Sequence, residues 1–528
     1  MRNFLPLLML LLLSSSAWSA PIDPKTCFEC HSEVSELWSG GKHKGKLSCT
    51  QCHAKLDAHL ESPSNKPETK LDPNLCGTCH KNQFESFFKV NYKKAARVEK
   101  SLLDQRSPNP FWDKLMMGHG FTKEHNNPRS HANMVVDHLV VDRAYGGRFQ
   151  PKEGWKYVSN KGPVKAWDVL EDRYPNDREH KAFITESAPA ANPTCMQCKS
   201  NDNILKWKYM GDKDERAQWD RTSNPPDYAQ SISNVMGCIH CHDPHGTKPR
   251  VTRDGLIQAL TRKEEDTLWH KDPKRTGIKV IDFRDFRKIA ILDKYDAKLQ
   301  CGQCHVEYNC NTGFDPKTVA KVGYDDQRTN HFPFKDVFQI YEHYNKVGFR
   351  DFKHALTGGL LFKAQHPEAE VFWNSKHDKA GVSCNDCHMP KMKAKDGTVF
   401  TTHWQTSPRN YIKETCLRCH KDWDAERANY AIDSVRSFTK GKMRKAEFWL
   451  AALIDRIVEA KKLGVDEAVI KEAQEQHQKA HILWEWWTAE NSDGFHNPAQ
   501  ARESLTRSIQ ESRKGLEILS KGITDKKP

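Results

Sequence analysis

Sixteen of the chain's 17 cysteines form eight pairs, each with two residues between: Cys27/Cys30, Cys49/Cys52, Cys76/Cys79, Cys195/Cys198, Cys238/Cys241, Cys301/Cys304, Cys384/Cys387 and Cys416/Cys419. Seven pairs are followed at once by histidine (His31, His53, His80, His242, His305, His388 and His420), and the eighth by Lys199. C-x-x-C-H is the attachment spacing of c-type haem: two thiols add to the vinyl groups, and the histidine reaches the iron from the proximal side. Zinc ribbons and iron–sulfur clusters do not need that following histidine, and disulfides do not repeat one short spacing eight times. The pattern therefore predicts eight covalently bound haem c groups.

Electron-transfer haems are usually ligated by protein on both faces. The chain holds 26 histidines, 19 beyond the seven in the motifs, ample for seven bis-histidine haems. Lys199 sets one haem apart. A lysine binds iron only when deprotonated, so its pKa must be depressed by burial and by the metal. Such a ligand points to an iron with an open distal side, the property that separates a catalytic metal from a saturated one.

The elements that hold these motifs are unevenly spread along 528 residues. Three motifs lie between Cys27 and His80, five between Cys195 and His420, and the last hundred residues carry none. This predicts an N-terminal three-haem domain over 21–125, a catalytic five-haem domain over 126–435, and a long-helix segment of that domain over 436–528. The expected fold is mainly α, a multihaem cytochrome c with little β, short helices and loops around the haems, and long C-terminal helices. Apolar spacing predicts helices over 441–463, from Asp466 to Trp487, and from Asn497–Pro498 to Lys521. The aromatic run Trp484–Trp487 reads as a surface for subunit packing. At the N-terminus, Arg2 precedes an apolar run and small residues to Ala20, which reads as a signal peptide over 1–20 and export to the periplasm.

The formal charge of +13 is misleading for a haem protein. Sixteen propionates, set against ferric haem cores, leave about +5 oxidised and about −3 reduced. No nucleic-acid partner follows. With hydrophobic residues at 37%, the porphyrins are expected to supply much of the apolar core.

Longer motifs carry a resemblance. CMQCK (Cys195–Lys199), CGQCHVEY (Cys301–Tyr308), KAQHPE (Lys363–Glu368) and CNDCHMP (Cys384–Pro390) resemble, in order, the ammonia-forming cytochrome c nitrite reductases. From Arg129 to the C-terminus the chain is similar to the pentahaem enzyme. The three extra N-terminal motifs and Tyr308-Asn309-Cys310 make the whole resemble the octahaem members. The resemblance implies six-electron reduction of nitrite to ammonium at the Lys199 haem, with hydroxylamine and sulfite as side substrates.

It also implies roles for matching positions. Arg129, Tyr308 and His366 would be the catalytic trio on the distal side. Glu307, Tyr308, Lys363 and Gln365 would form a calcium site, and Tyr308 and Cys310 a thioether cross-link. Distal haem ligands would be His131, His377, His403 and His496. For the three N-terminal haems the choice is His43, His59 and His119, with His125 and His331 as substitutes. The implied partners are nitrite, an external electron donor (quinol-linked or a small cytochrome) and further copies of the chain, hexameric in similar octahaem enzymes. Two rival readings are hydroxylamine oxidation, which Lys199 disfavours, and an electron conduit, which would leave the distal trio unexplained.

Overall fold

The computed structural model describes residues 22–88, 115, 131–134, 141–143, 149–151, 193–223, 228 and 231–525. The expected signal peptide, His119, His125 and Arg129 lie outside these residues. Contacts divide the chain into two compact units: Met1–Leu71 with His245–Thr247, and Asp72–Pro244 with Lys248–Pro528. The third motif, Cys76–His80, counts with the larger unit. Among the described residues no helix is long and apolar enough to cross a membrane.

The fold is mainly α, with short strands and a largest sheet of three among the described residues. The haem motifs share a local conformation that their spacing dictates. The histidine N–H donates to the carbonyl of the first cysteine in Cys27–His31, Cys76–His80, Cys301–His305 and Cys416–His420, each at 2.9 Å. One helical turn so closed puts both sulfurs and the imidazole on one side. The Lys199 N–H donates to the Met196 carbonyl at 2.9 Å.

In the smaller unit, helices Ser32–Gly40, Cys49–Cys52 and Leu56–Glu61 pack with the His245–Thr247 segment. Gly41 lies against the His245 carbonyl, where a Cβ would collide, and the Lys42 N–H donates to Thr247 Oγ1 at 2.9 Å.

In the larger unit, strands β1 (Arg250–Val251), β2 (Ile278–Phe283) and β3 (Arg287–Leu292) form an antiparallel sheet in the order β1–β3–β2. Helix α1 (Asp254–Thr261) follows β1 and buries Leu256, Ile257, Ala259 and Leu260 against β3 and Trp269. Helix α2 (Ala297–Cys301) is capped by Asp296, which accepts from the Lys298 N–H at 2.9 Å, and it ends on a haem cysteine. Helix α3 (Glu368–Phe372) docks on the same motif, its Ala369 N–H donating to the His305 carbonyl at 3.0 Å.

Three long helices close the chain: α4 (Ala425–Lys462), α5 (Glu467–Ala489) and α6 (Pro498–Thr524). Side chains of Asp424, Asp466 and Asn497 cap them, and Gly464 at φ +68° ends α4. Ser504 and Ser508 bond carbonyls of α5 at 2.7 Å, and Gly515 faces Leu453 of α4, so small residues let α6 approach both neighbours. Helix α4 begins 16 residues before the expected 441. Its first turns bury only Ala428, Ile432 and Thr439, and Tyr430 and Phe438 point outward, so the apolar period there is faint. The reading of Trp484–Trp487 as a subunit surface is corrected. All three tryptophans are fully buried within the single chain, where Trp484 donates to Glu447 at 3.0 Å.

Candidate haem and substrate site

The structure places motif histidines opposite second histidines at one recurring distance. Ring centroids are 6.1 Å apart for His31/His59, 6.2 Å for His53/His245, 6.0 Å for His305/His131, 6.3 Å for His242/His403 and 6.2 Å for His388/His496. A metal–imidazole bond of about 2 Å on each side, plus about 1 Å from nitrogen to ring centre, requires about 6 Å. Direct packing can be closer: His331 and His343 stack at 5.1 Å with Nε2 atoms 2.8 Å apart. The residues present therefore fit irons ligated on both faces.

Cys30, Cys79 and Cys419 are exposed, whereas the first cysteines of the same motifs, Cys27, Cys76 and Cys416, are partly buried. The cause is local. Their short helices, Pro24–Phe28, Asn74–Gly77 and Cys416–Cys419, have no buried residue of their own and lie at the surface. Positions three apart on a helical turn differ by about 60° around its axis, so a turn at the surface covers one sulfur better than the other. Cys198 and Cys310, by contrast, are buried.

The rings are held in one tautomer from behind. Nδ1 donates to the Asn65 carbonyl from His59 (2.7 Å), to the Thr406 carbonyl from His388 (2.8 Å) and to the Thr401 carbonyl from His403 (2.9 Å). Carboxylates stand beside Nδ1 in two other rings as ion-pair partners, Glu368 at 3.5 Å from His305 and Glu490 at 2.6 Å from His496. Each arrangement leaves Nε2 for a metal. His377 lies within the electrostatic influence of His420, which with burial holds it below the usual imidazole range.

Of the ligands expected from sequence, His59, His131, His403 and His496 each face a motif histidine. The ring facing His53 is His245, not one of the residues chosen for the N-terminal haems. The substitute His331 pairs with His343. His245 follows its own motif histidine by three residues in CHDPH, a position that spacing alone does not connect to a motif nearly 200 residues earlier.

Around the Lys199 motif, helix Pro193–Met196 carries the first cysteine, and the Cys198 sulfur lies 3.7 Å from the Gln303 carbonyl. Tyr308 is buried, and its ring centre lies 6.4 Å from that of His366 and 5.3 Å from that of Phe332. Cys310 accepts from Gln365 Nε2 at 3.2 Å.

The expected calcium residues converge. Glu307 is fully buried and accepts from the Gln365 N–H at 2.6 Å and from Tyr344 OH at 2.7 Å. Glu370 accepts from the Glu307 N–H at 3.0 Å, and Asp351 accepts from the Lys363 N–H at 2.8 Å. Burial holds the carboxyls of Glu307, Glu370 and Glu485 well above the ordinary carboxylate range and pushes Asp351 up to about 7. So many buried acids fit a hard cation, which would let them ionise. Among the described residues no three His, Cys, Asp or Glu side chains converge as a cage. The donor set beside Glu307 would therefore draw on backbone and amide oxygens. Tyr344, Asp351, Glu370 and Glu485 escaped the sequence reading, since nothing local marks a buried acid.

The family model for cytochrome c552 matches residues 72–159 and 154–527. The cytochrome c nitrite reductase subunit NrfA of Nitratidesulfovibrio vulgaris is 28% identical over 438 residues, covering 78% of this chain and 69% of that protein. The cytochrome c-552 of Haemophilus ducreyi is 27% identical over 470 residues, covering 84% and 77%. Among solved structures, the cytochrome c nitrite reductase from Desulfovibrio desulfuricans, whose catalytic subunit has two calcium sites, is similar in fold. Its TM-score is 0.57 at 22% identity over 86% of each chain.

Proposed function

The chain belongs to the cytochrome c552 family, and from that premise we propose that it is a periplasmic octahaem nitrite reductase that converts nitrite to ammonium. The substrate would be reduced at the haem held by Cys195, Cys198 and Lys199, with seven bis-histidine haems delivering electrons from an external donor. The observation that carries this reading is the meeting of Tyr308 and His366, 6.4 Å between ring centres, in a chain where one of eight haem motifs, Cys195–Lys199, ends in lysine. A saturated electron conduit has no use for that pairing.

The haem would supply electrons one at a time and an open coordination position. The protein's own groups do the rest. Nitrite plus six electrons and eight protons gives ammonium and two waters, so proton supply is as large a task as electron supply. Tyr308 OH and the His366 imidazole would donate hydrogen bonds and pass protons as N–O bonds break. Arg129 would attract the anion and orient it by paired N–H donors. Calcium beside Glu307, Lys363 and Gln365 would fix Tyr308 and His366 to one rigid support, and a Tyr308–Cys310 thioether would fix the phenol further. Hydroxylamine and sulfite would fit the same open position, and the chain would work as a homo-oligomer.

The test is anaerobic turnover of nitrite with a reduced viologen dye, counting dye oxidised and ammonium formed. About six electrons per nitrite with stoichiometric ammonium is expected. Negligible nitrite loss by a protein whose haems all reduce would overturn the reading.

A further inference from the structure

Two buried arginines, Arg253 near Cys198 and Arg287 near Arg253 and Asp254, have no use in the chemistry above. Arg253, the N-cap of α1, is 3% exposed, and Arg287, the first residue of β3, is 5% exposed. Arg253 Nη1 donates to Asp254 Oδ1 at 3.1 Å, yet its Nε and Nη2 have no partner. Arg287 Nη2 donates to the Thr252 carbonyl, and its Nε and Nη1 have no partner either. Four buried, charged N–H positions are thus unanswered by the protein. Native proteins seldom leave such groups bare, because a buried charge without a partner is costly.

The charges near these side chains do not balance. Asp254 is the carboxylate they share, and its other contacts are the Gly255 N–H at 2.7 Å and Trp207 Nε1 at 2.9 Å. Arg250 also lies close, but Asp243 already pairs with it at 2.9 Å. Tyr209 and Tyr228 are nearby phenols, which burial keeps neutral. The sulfurs closest to Arg253 are those of Cys198 and Cys304, and both become uncharged thioethers once haem is attached. Two guanidiniums against one carboxylate leave one positive charge without a counter-ion. Burial correspondingly holds Arg287 below its ordinary range.

We infer that Arg253 and Arg287 form a carboxylate site that holds a propionate of the haem attached at Cys195 and Cys198. A planar guanidinium with two free N–H groups matches a carboxylate in shape and charge. The motif has unanswered polar atoms of its own, Thr194 Oγ1 and both amide atoms of Gln197. Arg253 also reaches the substrate side, with its guanidinium carbon 5.6 Å from the Tyr308 ring centre and 5.1 Å from that of Phe332. One residue thereby ties the haem's edge to the phenol that faces the substrate, so both keep a common orientation.

The inference rests on the haem assigned above to Cys195–Lys199. A wild-type chain with seven haems, or with no high-spin iron, overturns that assignment and this inference together, before any variant is made. With eight haems present, the test is a redox titration of the high-spin haem followed by electron paramagnetic resonance in Arg253→Gln and Arg287→Gln. Removing a nearby positive charge favours the ferric state, so the high-spin midpoint should shift negative in both variants while the low-spin midpoints stay. Arg253→Lys should restore most of the shift. A high-spin midpoint unmoved in both variants, or a shift on a low-spin haem instead, overturns the assignment. A wild-type midpoint that follows added phosphate or chloride also overturns it, since the occupant is then a small exogenous anion. If the glutamine variants do not accumulate, Arg253→Lys decides through resonance Raman. The propionate bending band of the high-spin haem should move as the paired N–H edge is lost, and an unmoved band counts against the proposal.

Discussion

His53 and His245 stand with ring centres 6.2 Å apart and ring planes 8° from parallel, although 192 positions separate them in the chain. The contact is built from both sides. Gly41 makes room for the His245 backbone, Lys42 binds Thr247, and Thr69 Oγ1 lies 3.2 Å from His53 Nδ1. His245→Ala should therefore leave the Cys49/Cys52 haem with one protein ligand. The expected result is one additional high-spin haem per chain that binds carbon monoxide, with eight haems still attached. An unchanged count of low-spin haems would remove His245 from the ligand set.

The Lys199 motif differs from the other seven in the residue that follows its second cysteine. Lys199→His gives that iron the ligand type of its neighbours while leaving the distal side as it is. Nitrite turnover should fall about 10- to 100-fold, the usual cost of disturbing a tuned metal ligand. Viologen reduction of the remaining haems should be unaffected. Stopped-flow reduction beside steady-state turnover separates the two, and equal losses in both would mean damage to electron entry instead.

Tyr308 is packed on Phe332, and its ring centre lies 6.4 Å from that of His366. Tyr308→Phe keeps the packing and removes the proton donor. Loss of a placed acid or base costs about 10²- to 10⁴-fold, so kcat should fall in that range with a much smaller change in KM. A large rise in KM at constant kcat would make Tyr308 a binding group only.

The buried acids around Glu307 carry a prediction for metal removal. Prolonged chelation should lower the thermal midpoint and nitrite turnover together, and calcium should restore both where magnesium, which demands a smaller octahedral cage, does not. A cation at 100 times its Kd contributes about 2.7 kcal/mol of stability. Glu307→Gln should abolish the response to added calcium. A protein indifferent to chelator, with no calcium by elemental analysis, would leave these acids protonated and the site without a cation.

The sequence and the structure agree best where chemistry is local. C-x-x-C-H is a five-residue signal, and the amphipathic period of α5 and the Asn497–Pro498 start of α6 are read from adjacent residues. What escaped was long-range. His245 meets His53 through chain crossings that no spacing encodes. Glu370, Asp351 and Glu485 become unusual only when folding strips them of water. Arg253 and Arg287 look like two ordinary cations among 82 lysines and arginines until their unanswered N–H groups are seen. The tryptophans of α5 show the converse, since an aromatic cluster in sequence does not say whether it faces the core or another subunit.

The pair His331 and His343 allows a prediction in which pH changes stability. Their Nε2 atoms lie 2.8 Å apart, which requires one ring to donate and the other to accept. Burial, with Arg262, Lys335 and Lys346 nearby and opposed only by Asp266, lowers His343 to about 3, and burial with His343 and Arg262 drives His331 well below the usual range. The fold therefore prefers the neutral rings. Stability from this pair is fully present above the unfolded value near 6.5 and is lost as pH falls toward 3. In that window each group costs about 1.4 kcal/mol per pH unit, because the unfolded chain takes up a proton that the native chain refuses. The thermal midpoint of the haem-loaded protein should thus decline from about pH 6.5 downward. His343→Gln should be less stable at pH 7, because a buried partner is lost, yet should decline less steeply with acid, since one proton-binding group is gone. Parallel pH profiles for the two proteins would show that His343 titrates alike in the folded and unfolded chain.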